Sequence, residues 1–380
     1  MSLDRRSFLG AAALLAAPRV LFAQAATERR FIFIIQRGAA DGLNTVIPYA
    51  EPAYASLRGA LAIDPASALK LDGSFALHPS LARLRDLYAA GEASFFHAVA
   101  SPYRDRSHFD GQNVLETGGS APYQLKDGWM NRLVAMLPRG KQAIAFSPAV
   151  PTALRGAAEV TSYAPSALPQ PNDDLLMRVE QLYAADAQLH AIWSSALEAR
   201  GMAGGVAAGG GRQDPATLGR MAASFMARAD GPRIAMIETN GWDTHSGQNA
   251  RLANQLKGLD ALIGALQEGL GTAWSQTVIL VATEFGRTVA ANGTGGTDHG
   301  TGAAAMLVGG AVQGGYIVTD WPGLAHANLF EGRDLRPTLA LDTLVATACA
   351  EGFGLEPEKV TRVLFPHSPR GKPLARLLRA

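Results

Sequence analysis

The apolar residues of this chain fall into two alternating patterns, and each pattern predicts a different kind of element. Six short runs are wholly or almost wholly apolar, and they cover residues 31–35, 93–100, 142–146, 233–238, 277–282 and 303–308. Runs that lack a polar residue at every second position are typical of strands buried on both faces of a parallel sheet. We therefore predict a mostly parallel sheet built from these segments.

Between the runs, apolar residues recur three and four positions apart, which is the spacing of one helix face. This spacing is clear in residues 79–90 and 248–270, and residues 172–200 are predicted to form one long helix. Strands that alternate with helices favour an α/β fold, in which helices pack on the sheet. The predicted fold class is an α/β three-layer sandwich with a mostly parallel central sheet.

The middle of the chain contains a predicted interruption of this alternation. A glycine-rich stretch at residues 201–211 favours a flexible linker. Asp214 and Pro215 then predict the start of another helix, as its N-cap and its first residue. We interpret residues 148–230 as a helical insertion within a single domain that spans residues 26–380, and not as a separate domain.

The N-terminal segment has the features of an export signal. Arg5 and Arg6 precede a short apolar run at residues 11–15, and small residues before and at Ala25 offer a cleavage site. Paired arginines followed by a mildly apolar stretch indicate a twin-arginine signal peptide over residues 1–25. We therefore expect the folded protein to be carried by the twin-arginine export machinery to the periplasm or the exterior.

The composition excludes several kinds of partner and site. The chain is 48% hydrophobic, which supports a large core, and its net charge of +1 gives no indication of binding to nucleic acid or to an anionic membrane. No run is long and apolar enough for a stable membrane span. The lone cysteine, Cys349, excludes an intramolecular disulfide and a cysteine-based zinc site, and we expect it to pack in the core.

The loops next to the predicted strands are rich in side chains that bind metals. In open α/β sheets, chemistry gathers at the carboxyl ends of the strands, so these side chains are expected to share one pocket. A divalent ion bound by oxygen and imidazole needs three or more such groups, and two ions need about five or six. The candidate metal ligands are Asp41, Asp243, His245, Glu284, Asp298 and His299.

Each of these residues also has an ordinary structural interpretation. Asp41 before Gly42 is a common turn signal, and Asp298 can be part of a surface loop or cap. Ser107 precedes a predicted helix at residues 108–116, so it is either a nucleophile or an N-cap. His108 is a competing nucleophile or ligand.

Arginines near the same loops are candidates for holding a negatively charged oxygen during a reaction. They are Arg104, Arg106 and Arg287. Of these, Arg287 follows the late strand at residues 277–282 and is the predicted catalytic arginine.

Taken together, the loop motifs resemble an exported bacterial family of unknown function, number 1501. The motifs are RGAADGLNT at 37–45, SHFD at 107–110, GWDTH at 241–245, TEFGRT at 283–288 and GTDHG at 296–300. The family looks like a branch of the alkaline phosphatase and sulfatase superfamily. This resemblance implies an alkaline phosphatase-like central sheet with helices on both faces, and usually two divalent metals at the strand ends.

The resemblance also implies roles for individual residues. Asp41 resembles the first-strand aspartate shared by the metals, and Ser107 stands at the position of the nucleophile that caps a helix. Asp243 and His245 resemble the ligands of one metal. His299 resembles the final histidine.

Three features depart from the superfamily pattern: the residue at position 285, the close spacing of Asp243 and His245, and the presence of His108 directly after Ser107. Glu284 occupies the first place of an Asp-His pair, and Phe285 stands where the histidine of that pair would be. The second metal therefore loses an imidazole ligand at this position.

From these features we expect an exported, metal-dependent hydrolase that cleaves a phosphate or sulfate ester of a small molecule or polymer. Zinc or manganese would be the cofactor, with one or two ions per chain. The alternative is a non-catalytic exported protein that uses the same cleft for binding or envelope assembly. A third possibility is that the site only stabilises the fold.

Overall fold

The computed structural model describes residues 28–138, 143–164, 173–184, 186–203, 214–368 and 371–379. The predicted signal peptide and residues 204–211 of the predicted linker lie outside these ranges. The described strands are β1 (Arg30–Arg37), β2 (Val46–Ile47), β3 (Leu69–Lys70), β4 (Ala76–Leu77), β5 (Ala93–Ala100), β6 (Ala143–Phe146), β7 (Thr161–Ser162), β8 (Ile234–Asn240), β9 (Thr277–Ala282), β10 (Ala303–Val308), β11 (Ile317–Val318) and β12 (Leu339–Ala340).

The described helices lie between these strands. They are α1 (Gly42–Thr45), α2 (Tyr54–Arg58), α3 (Ala82–Ala89), α4 (His108–Thr117), α5 (Trp129–Met136), α6 (Asp173–Tyr183), α7 (Ala187–Ala203), α8 (Pro215–Met226), α9 (Gln248–Leu270), α10 (Leu341–Phe353) and α11 (Pro357–Leu364). Short 3₁₀ turns are found at Gly59–Leu61, Thr152–Leu154, Gly271–Gln276 and His326–Asn328.

The central sheet has the strand order β11-β5-β10-β9-β1-β8-β6-β7, with β12 also paired to β5. Strand β10 runs antiparallel to both of its neighbours, β5 and β9, and the other pairings in this sheet are parallel. Strands β2, β4 and β3 form a small second sheet. The predicted mostly parallel central sheet is confirmed.

Helices cover both faces of the central sheet, which gives the predicted three layers. Phe31 and Phe33 of β1 pack in a core cluster with residues of α5, α10 and α11. Ile32 and Ile34, which point to the other face, pack with residues of α3, α8 and α9. Because both faces of β1 are covered, its sequence is continuously apolar, as the pattern predicted.

The predicted single helix over residues 172–200 is wrong, because the chain forms two helices there. Helix α6 ends at Tyr183 and helix α7 begins at Ala187. Asp186 accepts hydrogen bonds from the backbone N–H groups of Gln188 and Leu189 at 2.9 and 3.0 Å. An aspartate that satisfies the free N–H groups of a first turn is an N-cap, so it starts a new helix.

Parts of residues 148–230 belong to the sandwich itself. Strand β7 pairs with β6 at one edge of the sheet, and α8 packs on the sheet face that α9 covers. Asp214 accepts a hydrogen bond from the N–H of Thr217 at 3.1 Å, which confirms the predicted cap of α8. The interpretation of the whole segment as an insertion remains a prediction.

Two further observations concern the core and the membrane. Cys349 is fully buried and unpaired, as expected from the sequence, and burial raises the pKa of its thiol. Among the described helices, none is both long and apolar enough to cross a bilayer.

Asp41 forms a buried ion pair that fastens the loop after β1, and its role as a metal ligand stays a prediction. Its carboxylate accepts from the N–H of Asn44 at 3.2 Å, from Gln248 Nε2, and through both oxygens from Arg58 Nη2. A carboxylate has about four acceptor positions. All of them are used by these donors, and both Asp41 and Arg58 are buried.

We predict that Arg58→Met destabilises the protein strongly, because it leaves the Asp41 carboxylate buried without its cation. Breaking a buried ion pair from one side costs about 3–5 kcal/mol. The free energy of unfolding, measured by denaturation in urea, checks this value. Lys372→Met is the matched control, since Lys372 and Asp320 form an exposed pair that contributes about 1 kcal/mol or less. Equal losses in the two variants would contradict the assignment.

Candidate metal centre

The candidate ligands meet at one edge of the central sheet. His108 begins α4 after β5, Asp243 and His245 follow β8, and Glu284 follows β9. These strands are parallel, so their carboxyl ends lie at the same edge. His299 precedes β10, and because β10 runs in the opposite direction its amino end lies at that edge too. The prediction of a shared pocket along one rim is confirmed for these residues.

The Asp243 carboxylate is the centre of the group. Its Oδ1 lies 3.0 Å from His245 Nε2 and 3.4 Å from His299 Nε2, and these two nitrogens are 3.0 Å apart. Its Oδ2 lies 3.4 Å from His108 Nε2. Ligand atoms of His108, Asp243 and His299 all lie within 4.8 Å of one another.

Every histidine of the group is held in the same way, by a hydrogen bond at its Nδ1. The partners are Glu284 for His108 at 2.8 Å, Asp298 for His245 at 3.0 Å, and the Arg106 carbonyl for His299 at 2.8 Å. Carboxylates and carbonyls only accept, so each Nδ1 carries the hydrogen. In a neutral ring, Nε2 then carries a lone pair that faces the Asp243 carboxylate. This is the usual arrangement of metal-binding histidines.

Two observations test whether a metal fits this group. Zinc–ligand bonds of about 2.0–2.1 Å in a tetrahedral site put ligand atoms about 3.3 Å apart. The atoms of Asp243, His245 and His299 are separated by 3.0–3.4 Å. In addition, His108 Nε2 is buried and has no hydrogen-bond partner. The imidazoles and carboxylate therefore suit a borderline divalent cation such as zinc or manganese.

Glu284 supports the ring of His108, and its direct contact with a metal stays a prediction. Its Oε1 accepts from His108 Nδ1, from the N–H of Gly38 at 2.8 Å and from Gln112 Nε2 at 3.0 Å, and its Oε2 accepts from Thr283 at 2.9 Å. Burial raises the pKa of Glu284, but the hydrogen bonds from His108 and Gln112 outweigh it, so the pKa lies below its ordinary value. Glu284 is thus a fixed negative charge behind His108.

Asp298 supports the ring of His245 in a similar way, and its role as a metal ligand stays a prediction. Hydrogen bonds from Asn292 and then from His245 lower the pKa of Asp298. The side chain of Asp298 is about half exposed, so it lies at the outer rim of the centre.

Arg287 is buried next to Asp243, and its role in holding a reacting oxygen stays a prediction. Its Nη1 donates to Asp243 Oδ1 at 2.6 Å, its Nη2 donates to the Thr297 carbonyl, and its side chain is fully buried. Partial burial raises the pKa of Asp243, but the ion pair with Arg287 and the nearby histidines lower it below its ordinary value. Arg287 therefore keeps Asp243 ionised.

Phe285 supports the ring of His108. The two rings stack with centroids 5.1 Å apart and an interplanar angle of 26°, and Phe285 also lies 5.3 Å from the His299 ring. The face of the Phe285 ring therefore fixes the orientation of the His108 imidazole, which comes from α4.

Ser107 occupies the N-cap position of α4, but its side chain makes no capping hydrogen bond. Its N–H donates to Tyr103 Oη at 3.0 Å. Arg106, directly before it, has φ of 64° and turns its carbonyl to His299. Ser107 is therefore held at the rim of the centre by a backbone conformation that is unusual for a residue other than glycine.

The sequence did not reveal several groups that position the candidate ligands. Gln112 bridges the centre to β1, since it donates to Glu284 and accepts from Arg37 at 2.9 Å. One signal was present, because Gln112 lies four positions after His108 and so on the same face of α4. The contributions of the Gly38 N–H and the Arg106 carbonyl come from backbone groups, which no residue type reveals.

The candidate ligands are open to solvent, while two of their supports, Glu284 and Arg287, are not. The side chains of Asp243 and His245 are 40% and 44% exposed, and those of His108 and His299 are 23% and 26% exposed. Glu284 and Arg287 are fully buried. Buried side chains therefore support a solvent-accessible group of candidate nitrogen and oxygen ligands.

Comparison with solved structures gives similarities at low identity. The C-terminal periplasmic domain of EptC from Escherichia coli, in complex with zinc, is 10% identical, with 91% of this chain and 88% of that chain covered and a TM-score of 0.44. The lipoteichoic acid synthase LtaP from Listeria monocytogenes is 10% identical, with 81% and 70% covered and a TM-score of 0.37. The phosphonate monoester hydrolase of Agrobacterium radiobacter is 12% identical, with 90% and 78% covered and a TM-score of 0.33.

No curated protein matches the chain in sequence. A family model does match, and it covers residues 28–364, which include every motif that carried the resemblance. The chain therefore belongs to the family described as protein of unknown function (DUF1501).

Proposed function

We propose that this protein is an exported metal-dependent hydrolase of phosphate or sulfate esters. The observation that carries the proposal is the convergence of three histidines on one carboxylate. Each histidine has its Nδ1 tied to an acceptor, and the Nε2 of His108 is buried without a partner. Export follows from the predicted twin-arginine signal, and it places the enzyme in the periplasm or outside the cell.

Asp243, His245, His299 and His108 would hold the metal. A divalent ion bound there would supply positive charge to the oxygens of an ester group and activate the attacking oxygen. Asp243 is kept ionised by Arg287, and Glu284 and Asp298 fix the rings. These supports are buried or paired before substrate arrives, so the ligands need little rearrangement.

Ser107 is the attacking group that we favour. It stands before the first turn of α4, where free N–H groups and the helix dipole favour a phosphate or sulfate. Its side chain is not used as a cap. In this proposal the Ser107 oxygen forms a bond to phosphorus or sulfur while the bond to the alcohol oxygen breaks, and the departing alcohol takes up a proton. Water then releases the phosphate or sulfate from the serine.

We predict that the purified protein contains zinc, manganese or a similar ion, and that His245→Ala and His299→Ala lower this content markedly because each removes one ligand. Elemental analysis of protein expressed in a twin-arginine-competent host measures the metal content per chain. His326→Ala is the matched control, since His326 is exposed and lies in a separate 3₁₀ turn. Wild-type protein without bound metal after loading would refute the proposal.

Glu284→Gln is predicted to weaken metal binding by about tenfold to a hundredfold, because the residue that orients His108 loses its charge but keeps its size. Competition with a fluorescent metal chelator measures the dissociation constant. Glu268→Gln, at an exposed position, serves as the control and should change nothing. An unchanged constant in Glu284→Gln would show that His108 does not bind the metal.

Ser107→Ala is predicted to abolish turnover of generic phosphate or sulfate esters while metal content stays normal. Ser107→Thr keeps a hydroxyl group and should retain part of the activity. Release of nitrophenol from the corresponding phosphate and sulfate, with and without added metals, is the assay. Full activity in Ser107→Ala with normal metal content would assign the attack to water.

A non-catalytic binding protein is the second candidate, and the side chain at position 285 favours it. Phe285 cannot bind a metal, and among the described residues the imidazoles gather around one carboxylate only. Metal-loaded wild-type protein that binds phosphate or sulfate but turns over no ester would support this alternative.

A further inference from the structure

Two arginines are anchored on the main chain of the candidate ligands. Arg251, in the first turn of α9, donates from Nη2 to the carbonyl oxygen of Asp243 at 3.1 Å and from Nη1 to that of Ser246 at 3.4 Å. Arg333 donates from Nη2 to the carbonyl oxygen of His299 at 2.7 Å. Both side chains are exposed, so positive charge is fixed at the rim of the metal centre.

The charges of the two arginines are balanced differently. Arg333 pairs with the buried Asp334 at 2.8 Å, and Asp334 also pairs with Arg106. Arg251 forms no ion pair with any carboxylate in the part of the chain that the structure describes. A guanidinium has five N–H donors, and the two carbonyls take up only some of them. Arg251 is therefore a pre-positioned cation with spare donors directed at solvent.

We propose that Arg251 forms an anion-binding subsite that receives a second negatively charged group of the substrate. The proposal rests on the proposed function and narrows it, because the substrate is then a polyanionic ester. One phosphate or sulfate lies at the metal centre, and a neighbouring one lies on the Arg251 guanidinium. Anchoring the guanidinium on two carbonyls lowers the conformational entropy lost when the anion binds. Arginine suits such a group because its planar fork matches phosphate or sulfate oxygens.

The test compares two probes that resist hydrolysis and differ by one anionic group, butylphosphonate and butane-1,4-diphosphonate. Zinc-loaded wild-type protein is expected to bind the diphosphonate about fivefold more tightly, as one exposed guanidinium contact contributes about 1 kcal/mol or less. Arg251→Met should remove this preference and leave butylphosphonate binding unchanged. Arg251→Lys, which keeps the positive charge but loses the planar guanidinium, should keep part of the preference for the diphosphonate. Titration calorimetry measures the dissociation constants of both probes for each protein.

Arg220→Met is the matched control, since Arg220 is exposed on α8 and forms no ion pair among the described residues. Helix α8 packs near Leu262 and Leu266, which lie about 16 Å or more along α9 from Arg251. This variant should keep the wild-type preference. The preference should also shrink as salt rises, because an exposed contact is screened.

The outcomes separate the subsite from the proposed function. If zinc and both probes bind but the wild type shows no preference, the subsite is refuted and the proposed function stands. If Arg251→Met weakens both probes equally, with a lower melting temperature, Arg251 only braces the Asp243 loop and the subsite is again refuted. If the wild type binds neither zinc nor phosphonate, the proposed function fails, and the subsite fails with it.

Discussion

The hydrogen bonds at the three Nδ1 atoms are the constraint on which the rest of the site depends. A neutral imidazole has two tautomers and a ring that can turn, so an unsupported histidine offers a metal no fixed lone pair. Here Glu284, Asp298 and the Arg106 carbonyl remove that freedom. Placing the Glu284 carboxylate in the core is costly in free energy, and hydrogen bonds from side chains and from the Gly38 amide offset that cost.

The direction of a single strand decides whether these groups can meet. His299 precedes its strand along the chain, whereas Glu284 and Asp243 follow theirs. In a wholly parallel sheet, a residue before a strand would lie at the opposite edge. Strand β10 is antiparallel to β5 and β9, so its amino end reaches the edge where the others finish. A backbone bridge between Arg287 and His299 then ties the two segments together.

Burial explains which parts of this picture follow from sequence. The strands at Ala93–Ala100, Thr277–Ala282 and Ala303–Val308 were predicted with their observed bounds, because both faces of each are covered and the runs are wholly or almost wholly apolar. The candidate site residues could also be named from the sequence, because they lie in the loops that directly follow or precede predicted strands. Which carboxylates contact a metal was not predictable, because ligand and support use the same residue types.

Asp41 shows why the distinction needs coordinates. Its partner Arg58 lies in a short helix that has no clear apolar pattern, and Gln248 lies some two hundred positions away. Nothing in the loop motif around Asp41 indicates that these donors will saturate its carboxylate. The broken helix at Asp186 has a similar origin, because the apolar spacing continues across a residue whose side chain caps a new first turn.

The pair of His108 and Phe285 shows how an apolar ring fixes the position of an imidazole at the candidate centre. Phe285 is buried and presents its face to the His108 ring, so α4 must approach closely for the rings to stack. Gly111 allows this approach, since a Cβ there would lie 2.9 Å from the Phe285 ring. Gly111, Phe285 and His108 therefore act as one unit. A histidine placed at position 285 would remove the phenyl ring that stacks on His108, and with it the contact for which the close approach at Gly111 is needed.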